Sequence, residues 1–469
     1  MRGPKVVLIG AGSVFFGRQT IWSMVSKPAL ATGTLALVDT DRELLATMEK
    51  IARRAIQAKG VPLRLEVSPD RRKVLKGADF VILAFAVQGV TLRGLDARVS
   101  AKHGITMCSA DTIGPGGIFR TLREVPRTLD VLADVDRFCP EAWVINWVNP
   151  TAAMGICTFR YAPHIKSLAI CDGPHNPHFD NRLMRRAGLL ARGEAPSDEL
   201  RENVLIRSGG INHFNWLTAM SYRGRDLMPA VRDSYVREAE EAPDEPARII
   251  ARMVVRLTDS VGAIPMCIHH TREYVPFFQG RGVDKKEALK IATWDVNVRR
   301  ARMRANWKDM RSIASGQRPI ADFLLRTGAD HASDIVESMW AGLGKRFYIN
   351  NPNGGAVTNM QPDAFLELLS EVSLNEVRTL PYGSMPRPLL GMFQRVLDEH
   401  ELAVEAAVTG DRQTLLEAFV ASPLTQSLED AENLIEELLR RERPYLPGYW
   451  YPRRPSRTSR QGASGKKSR

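Results

Sequence analysis

The feature that most constrains this chain is an alternation of short, nearly continuous apolar runs with helix-patterned segments across residues 1–195. Apolar runs at 5–9, 35–38, 79–84, 143–146 and 167–171 predict strands, and residues 20–24, 41–59 and 120–138 between them have helical spacing. A strand without polar alternate positions is buried on both faces, which requires helices above and below a parallel sheet. The pattern predicts an α/β fold with a doubly wound parallel sheet. After residue 195 the rhythm changes. Residues 203–208 and 216–222 read as strands, and 248–261, 285–307 and 389–407 read as helices. A second, mostly helical α+β domain is therefore expected over 196–451, packed on the carboxyl ends of the first sheet and serving substrate and metal binding and oligomerisation.

Gly10-Ala11-Gly12-Ser13 follows the first strand directly and precedes a helix. Glycine there lets the backbone turn tightly and approach a pyrophosphate, which the free N–H groups of the helix N-terminus then bind. This is the phosphate-binding turn of a Rossmann-like, dinucleotide-binding domain. The third glycine of the usual fingerprint is missing, with Phe15 in its place. Asp39, at the end of the second strand, is placed to bind both ribose hydroxyls and to repel a 2′-phosphate, which favours NAD over NADP. Gly10, Gly12, Ser13, Val14, Phe15 and Asp39 form the expected cofactor site.

The net charge of +12 invites a nucleic-acid reading, but seven uncompensated basic residues lie in 452–469, and only five of the excess charges remain elsewhere. That Ser/Arg/Lys/Gly segment reads as a disordered basic tail, and nucleic acid is not the expected partner. No apolar run reaches the roughly 18 residues that span a bilayer, and the start leads straight into a strand, so a cytoplasmic protein without membrane contact is expected. The five cysteines, 108, 139, 157, 171 and 267, show no CxxC spacing and no disulfide framework. Four of them read as small buried residues. Cys171, at the end of the last apolar run, is the exception: it offers a thiolate, as His213 in Gly210-Ile211-Asn212-His213 offers an imidazole. A dinucleotide turn together with a Cys/His metal pair points to hydride chemistry assisted by a divalent cation.

As an ordered set, seven segments resemble glycoside hydrolase family 4, the NAD- and manganese-dependent glycosidases, in the α-galactosidase and α-uronidase branch. They are Gly10-Ala11-Gly12-Ser13-Val14-Phe15, Asp111-Thr112-Ile113-Gly114-Pro115-Gly116-Gly117, Asn149-Pro150-Thr151, Cys171-Asp172, Gly210-Ile211-Asn212-His213, His270-Thr271-Arg272-Glu273-Tyr274-Val275-Pro276 and Glu401-Leu402-Ala403-Val404-Glu405-Ala406-Ala407. The resemblance implies a glycosidase that departs from the usual pair of carboxylates. NAD oxidises the sugar at C3, the C2 proton is removed, the aglycone is eliminated, water adds and the ketone is reduced again. A divalent cation, Mn²⁺ or another, is implied on Cys171 and His213. Asp172 is implied as the acid for the leaving oxygen, or else caps the helix after Pro174. The C2 base is His270 or Tyr274. Asn149 contacts sugar hydroxyls or only forms a turn, and Asp111 contacts sugar or nicotinamide ribose. Arg272 either reads an anionic sugar or is a surface arginine. The implied partner is a small glycoside, with the chain as a homodimer or homotetramer. Two other readings stay open at this point: an NAD-dependent 2-hydroxy-acid dehydrogenase of related fold, and a non-catalytic NAD-binding regulator.

Overall fold

The structure, a computed structural model, describes residues 2–107, 109, 111–171, 173–279, 283–291 and 293–451. Its first half holds six strands: β1 (Lys5–Ile9), β2 (Thr34–Val38), β3 (Arg64–Ser68), β4 (Phe80–Leu83), β5 (Trp143–Asn146) and β6 (Ser167–Ala169). They lie in the order β3-β2-β1-β4-β5-β6, and every pair is parallel. The doubly wound sheet is thus as expected. Alternate residues of β1 enter two different cores. Val7 and Ile9 pack with Phe119 and Leu122 on one face, and Val6 and Leu8 with Ile21 and Met48 on the other. That double burial is why the strand reads as one apolar run. Chain order reverses between β1 and β4, which opens a crevice at their carboxyl ends.

β3 is absent from the sequence reading. Its sequence Arg-Leu-Glu-Val-Ser alternates, and most of it is only partly buried, as suits a strand at the sheet edge. The helix expected over 120–138 begins earlier, within the glycine-rich segment, and spans Gly114–Phe138.

The second half contributes β7 (Val204–Ile211), β8 (Phe214–Tyr222), β9 (Arg225–Asp226), β10 (Ile264–Pro265), β11 (Arg346–Pro352), β12 (Phe365–Val372) and β13 (Val377–Thr379). It does more than cover the first sheet. β11 pairs antiparallel with β6, β12 with β11 and β7 with β12, so one sheet runs through both halves. This half is mostly helical as expected, but β11 and β12 are strands that the sequence reading lacks. Buried Asn350 and Glu367 interrupt their apolar runs, and both are held by polar partners inside the sheet. The helix expected over 285–307 is two helices, Val283–Lys290 and Val296–Ser315. Asp295 restarts the chain by accepting from the N–H groups of Asn297 and Val298. Among the described residues no helix is long and apolar enough to cross a membrane. The tail over 452–469 lies outside the described residues.

Candidate active site

The nucleotide groove is built from backbone. Gly10 sits at φ +95°, which a side chain would resist. A Cβ on Gly12 would stand 2.7 Å from the Asp39 carboxylate, and the Gly12 N–H donates to Asp39 Oδ2 at 2.7 Å. The missing third glycine is found two residues on. A Cβ at Gly17 would lie 2.3 Å from the carbonyl oxygen of Ala11, so Gly17 provides the close helix packing expected of residue 15. The N-cap residue Phe15 of the helix Phe16–Ser26 offers no side-chain cap, and Ser13 takes the first N–H groups instead, Phe16 on its Oγ at 3.2 Å and Gly17 on its carbonyl at 2.9 Å. A cavity of about 480 Å³ opens there, lined by Gly10, Asp39, Phe85, Gln88, Arg127 and Tyr445 among others. A cradle that glycine alone can form, a helix starting directly behind it and an acid at the second strand fit a dinucleotide.

Along the same edge of the sheet, Asn149 follows β5 and Cys171 follows β6. Asn149 precedes a cis proline, and its Oδ1 accepts from the Thr151 hydroxyl at 2.8 Å. Residues 212 and 213 form the tip of the β7–β8 hairpin, since Ile211 pairs with Phe214. His213 there adopts φ +65°, a left-handed conformation that costs a non-glycine residue of order 1–3 kcal/mol. The turn aims its ring at Cys171, whose Sγ lies 3.5 Å from Nε2. The ring of His270 stacks on it at 3.9 Å between centroids. The ligand atoms of His213, Cys267 and His270 all lie within 4.8 Å of one another. Thiolates beside imidazoles suit a borderline-soft first-row divalent cation. Cys267, expected to be a buried core cysteine, is instead half-exposed and part of this cluster. Cys139 and Cys157 are buried in the core as expected.

The two histidines are biased in opposite directions. Burial opposes protonation of His213, but hydrogen bonding to Cys267 and the charges of Cys267, Asp111 and Glu367 outweigh it and raise its pKa. Burial, with His213 beside it, pushes His270 well below the usual imidazole value. The His270 Nε2 stands 2.8 Å from Ser109 Oγ, which donates to Asp111 Oδ1 at 2.6 Å. Asp111 is also paired with Arg93 at 3.0 Å and Arg120 at 2.8 Å. Burial disfavours its charge, yet the two guanidiniums prevail and hold the carboxyl well below its ordinary range. Tyr274 is fully buried and donates to the Asn212 carbonyl at 3.1 Å. Its phenol is pushed well above 10 by burial, the opposite of the lowered value that a cation-assisted base requires.

Four residues absent from the sequence reading support the cluster besides Cys267: Arg93, Ser109, Arg120 and Glu367. The Glu367 carboxylate, on β12, accepts from Asn212 and Asn215 at 3.2 Å each and from Asn350 at 3.1 Å. The carboxylate thereby ties Asn212 and Asn215, at the tip of the hairpin that carries His213, to Asn350 on β11. Arg272 is no surface arginine. Its side chain is buried, and Nη1 donates to the Ala288 carbonyl at 3.0 Å, so this arm of the guanidinium serves its own chain. Asp172 lies outside the described residues.

Comparison with known proteins gives this geometry a lineage. Residues 5–180 match the family described as Family 4 glycosyl hydrolase, and residues 208–425 match its C-terminal domain. An alpha-galacturonidase of Bacillus subtilis is 29% identical over 93% of this chain and 96% of its own length. An alpha-galactosidase of Rhizobium meliloti is 27% identical over 96% of this chain and 90% of its own. Among solved structures, that of lplD from Bacillus subtilis, designated a glucosidase, superposes with TM-score 0.82 at 26% identity, covering 94% of this chain and all of that one. A 6-phospho-alpha-glucosidase from gut microorganisms, solved with NAD and Mn²⁺, shares the fold with TM-score 0.79 at 21% identity, over 95% of this chain and 99% of that one. With both parts of the family matched across most of its length, the chain belongs to the family 4 glycosyl hydrolases.

Proposed function

We propose that this glycosidase cleaves α-linked galactosides or galacturonides by an oxidation–elimination route that uses NAD and a divalent cation. The carrying observation is the meeting of Cys171, His213 and His270 at the carboxyl edge of the sheet that also forms the nucleotide groove. The names of the alpha-galacturonidase and alpha-galactosidase relatives supply the sugar class. When bound, NAD would supply the hydride acceptor and donor for the sugar, and the cation would supply Lewis acidity at its oxygens. The chain's own residues do the rest. The Gly10–Phe15 loop and the following helix start hold the pyrophosphate, and Asp39 holds the ribose hydroxyls. Cys171 and His213 hold the cation. His270, neutral and oriented by the Ser109 hydroxyl, takes the C2 proton; Tyr274, with its raised pKa, is the weaker choice. Asn149 and Asp111 bind sugar hydroxyls, and Asp172 protonates the leaving oxygen.

Aryl α-galactosides and α-galacturonides, assayed with NAD, Mn²⁺ and a thiol reductant in deuterated water, test this reading. Aglycone release without net NADH, and deuterium at C2 of the released sugar, are expected. Stoichiometric NADH, or cleavage without exchange at C2, overturns it.

A further inference from the structure

We infer that Tyr445, in the segment after the last long helix, is the stacking wall for the adenine of the dinucleotide, so that the C-terminal part of the chain sets cofactor affinity at the end of the groove away from the reacting nicotinamide. The inference rests on the nucleotide groove described above. It adds a residue beyond position 425, where the match to the family's C-terminal domain ends.

The cavity beside Gly10 has a direction. It runs across the carboxyl ends of β1, β2 and β3, from Gly10 to Asp39 and on to Pro69 and Arg71. An acid after the second strand takes the hydroxyls of the adenosine ribose. The adenine therefore lies past Asp39, over the end of β3. Cys171 follows β6, on the other side of β1 in the sheet. Val131 and Tyr445 line the same cavity, whose volume of about 480 Å³ is in the range of small-ligand sites. Arg71 is paired with Asp130 at 2.8 Å and with Asp134 at 2.6 Å. Its charge is thus already matched, and the uncharged base meets an aromatic ring instead.

Buried charge sets where Tyr445 stands. Glu442 ends the helix Leu428–Glu442 and pairs with Arg123 at 2.5 Å, while Arg123 also pairs with Asp96 at 2.9 Å. All three are buried. Arg123 shares one face of the helix Gly114–Phe138 with Arg127 and Val131, which follow it by one and two turns and line the cavity. The ion pair therefore docks the end of the last helix beside that face. The chain then turns back, with the Tyr445 N–H donating to the Glu442 carbonyl at 2.8 Å. Leu446 and Trp450 are buried in the core, and the hydroxyls of Tyr449 and Tyr451 donate to the carbonyls of Ala407 and Leu439. Of these three tyrosines, Tyr445 is the one that lines the cavity. A ring held in place by its neighbours loses little freedom when a base stacks on it.

The test uses the full chain and three probes: NAD, ADP-ribose, which keeps the adenosine, and nicotinamide mononucleotide, which lacks it. In calorimetry, Tyr445→Ala should weaken NAD and ADP-ribose alike by about 10–100-fold, the loss that follows removal of an aromatic stacking partner of a base. Its affinity for the mononucleotide should not change. Tyr445→Phe keeps the ring and should stay within about 3-fold of the unaltered chain for all three probes. In the unaltered protein, NAD carrying an azide on its adenine should label the segment 444–446 on illumination, read by mass spectrometry, so the outcome does not depend on a variant that folds. An unchanged ADP-ribose affinity in Tyr445→Ala, an equal loss for the mononucleotide, or an absence of label from 444–446 overturns the inference. If the unaltered chain binds neither NAD nor ADP-ribose, the nucleotide groove itself is refuted.

Discussion

The nucleotide groove and the histidine–cysteine cluster share one edge of one sheet but are built by different means. The groove centres on a short stretch, Gly10 to Asp39, and most of what that stretch contributes is backbone: a glycine cradle and the start of a helix. The cluster draws side chains from Ser109 and Asp111, Cys171, the β7–β8 tip, Cys267 and His270, with Glu367 beneath. A site made of backbone survives most side-chain changes. A site made of side chains from separate segments depends on each one, and here it is also held in a strained turn.

If the two regions are separable, His213→Ala should abolish cation binding and lower kcat/KM by more than about 100-fold, beyond the usual effect of residues that only orient a ligand. Its NAD affinity, measured by calorimetry, should stay unchanged. A parallel loss of NAD binding would show that the regions form one unit. His213→Gly sharpens the point. It should lose the cation equally while gaining up to about 1 kcal/mol of stability in thermal melts, because glycine relieves the left-handed turn. The reverse experiment is Asp39→Asn. It keeps an acceptor for the Gly12 N–H but removes the charge, so NAD affinity should fall by about 10–100-fold. Cation affinity should not move, and discrimination against NADP should relax.

The same contrast explains what could be read from the chain. The parallel sheet and the Gly10–Gly12 turn were legible because they are local: apolar runs, glycines and an acid at fixed offsets. Even there, the glycine that packs the helix is Gly17, since only the close approach to Ala11 identifies it. Cys171 and His213 stood out as one thiolate and one imidazole, His270 only within the ordered set of family segments, and nothing local says that their side chains meet. Cys267 carried a cue that was passed over, since Cys267-x-x-His270 puts both side chains on one face of a helical turn. Glu367 carried none. A buried carboxylate in a strand looks like an interruption until three asparagines from other segments are seen around it. β11 and β12 were missed for the same reason.

Glu367→Gln probes that support from below. The new NH₂ group has to face amide donors that now point at a carboxylate. The unfavourable contact should cost about 1–3 kcal/mol in denaturant melts. Cation affinity should fall by about 10-fold through loosening of the hairpin, while NAD affinity holds. An unchanged cation affinity would reduce Glu367 to a stabiliser of the sheet.

The smallest expected effect lies at the seam between the halves, where the long helix Arg387–Thr409 meets the start of Gly114–Phe138. Glu399 accepts from the Gly114 N–H at 2.8 Å, and burial pushes its carboxyl from 4.5 up to about 8 despite that bond. The folded chain therefore keeps a proton that the unfolded chain releases. This contribution is intact below about pH 4.5 and is lost as pH rises to about 8. His400 beside it has the opposite sign. Burial lowers it from 6.5 to about 4, so the folded chain refuses a proton that the unfolded chain takes, and stability falls as pH drops through that window. Between about pH 4.5 and 6.5 the two slopes oppose each other, and above 6.5 Glu399 acts alone. Glu399→Gln, which retains an acceptor for Gly114, should flatten the decline from about pH 6.5 to 8 relative to the unaltered chain. The difference should not exceed about 1.4 kcal/mol per pH unit. Parallel stability curves for the two proteins across that interval would show that Glu399 does not carry a proton at the seam. The two regions would then be joined there by packing and by a Gly114–Glu399 hydrogen bond that does not depend on a bound proton.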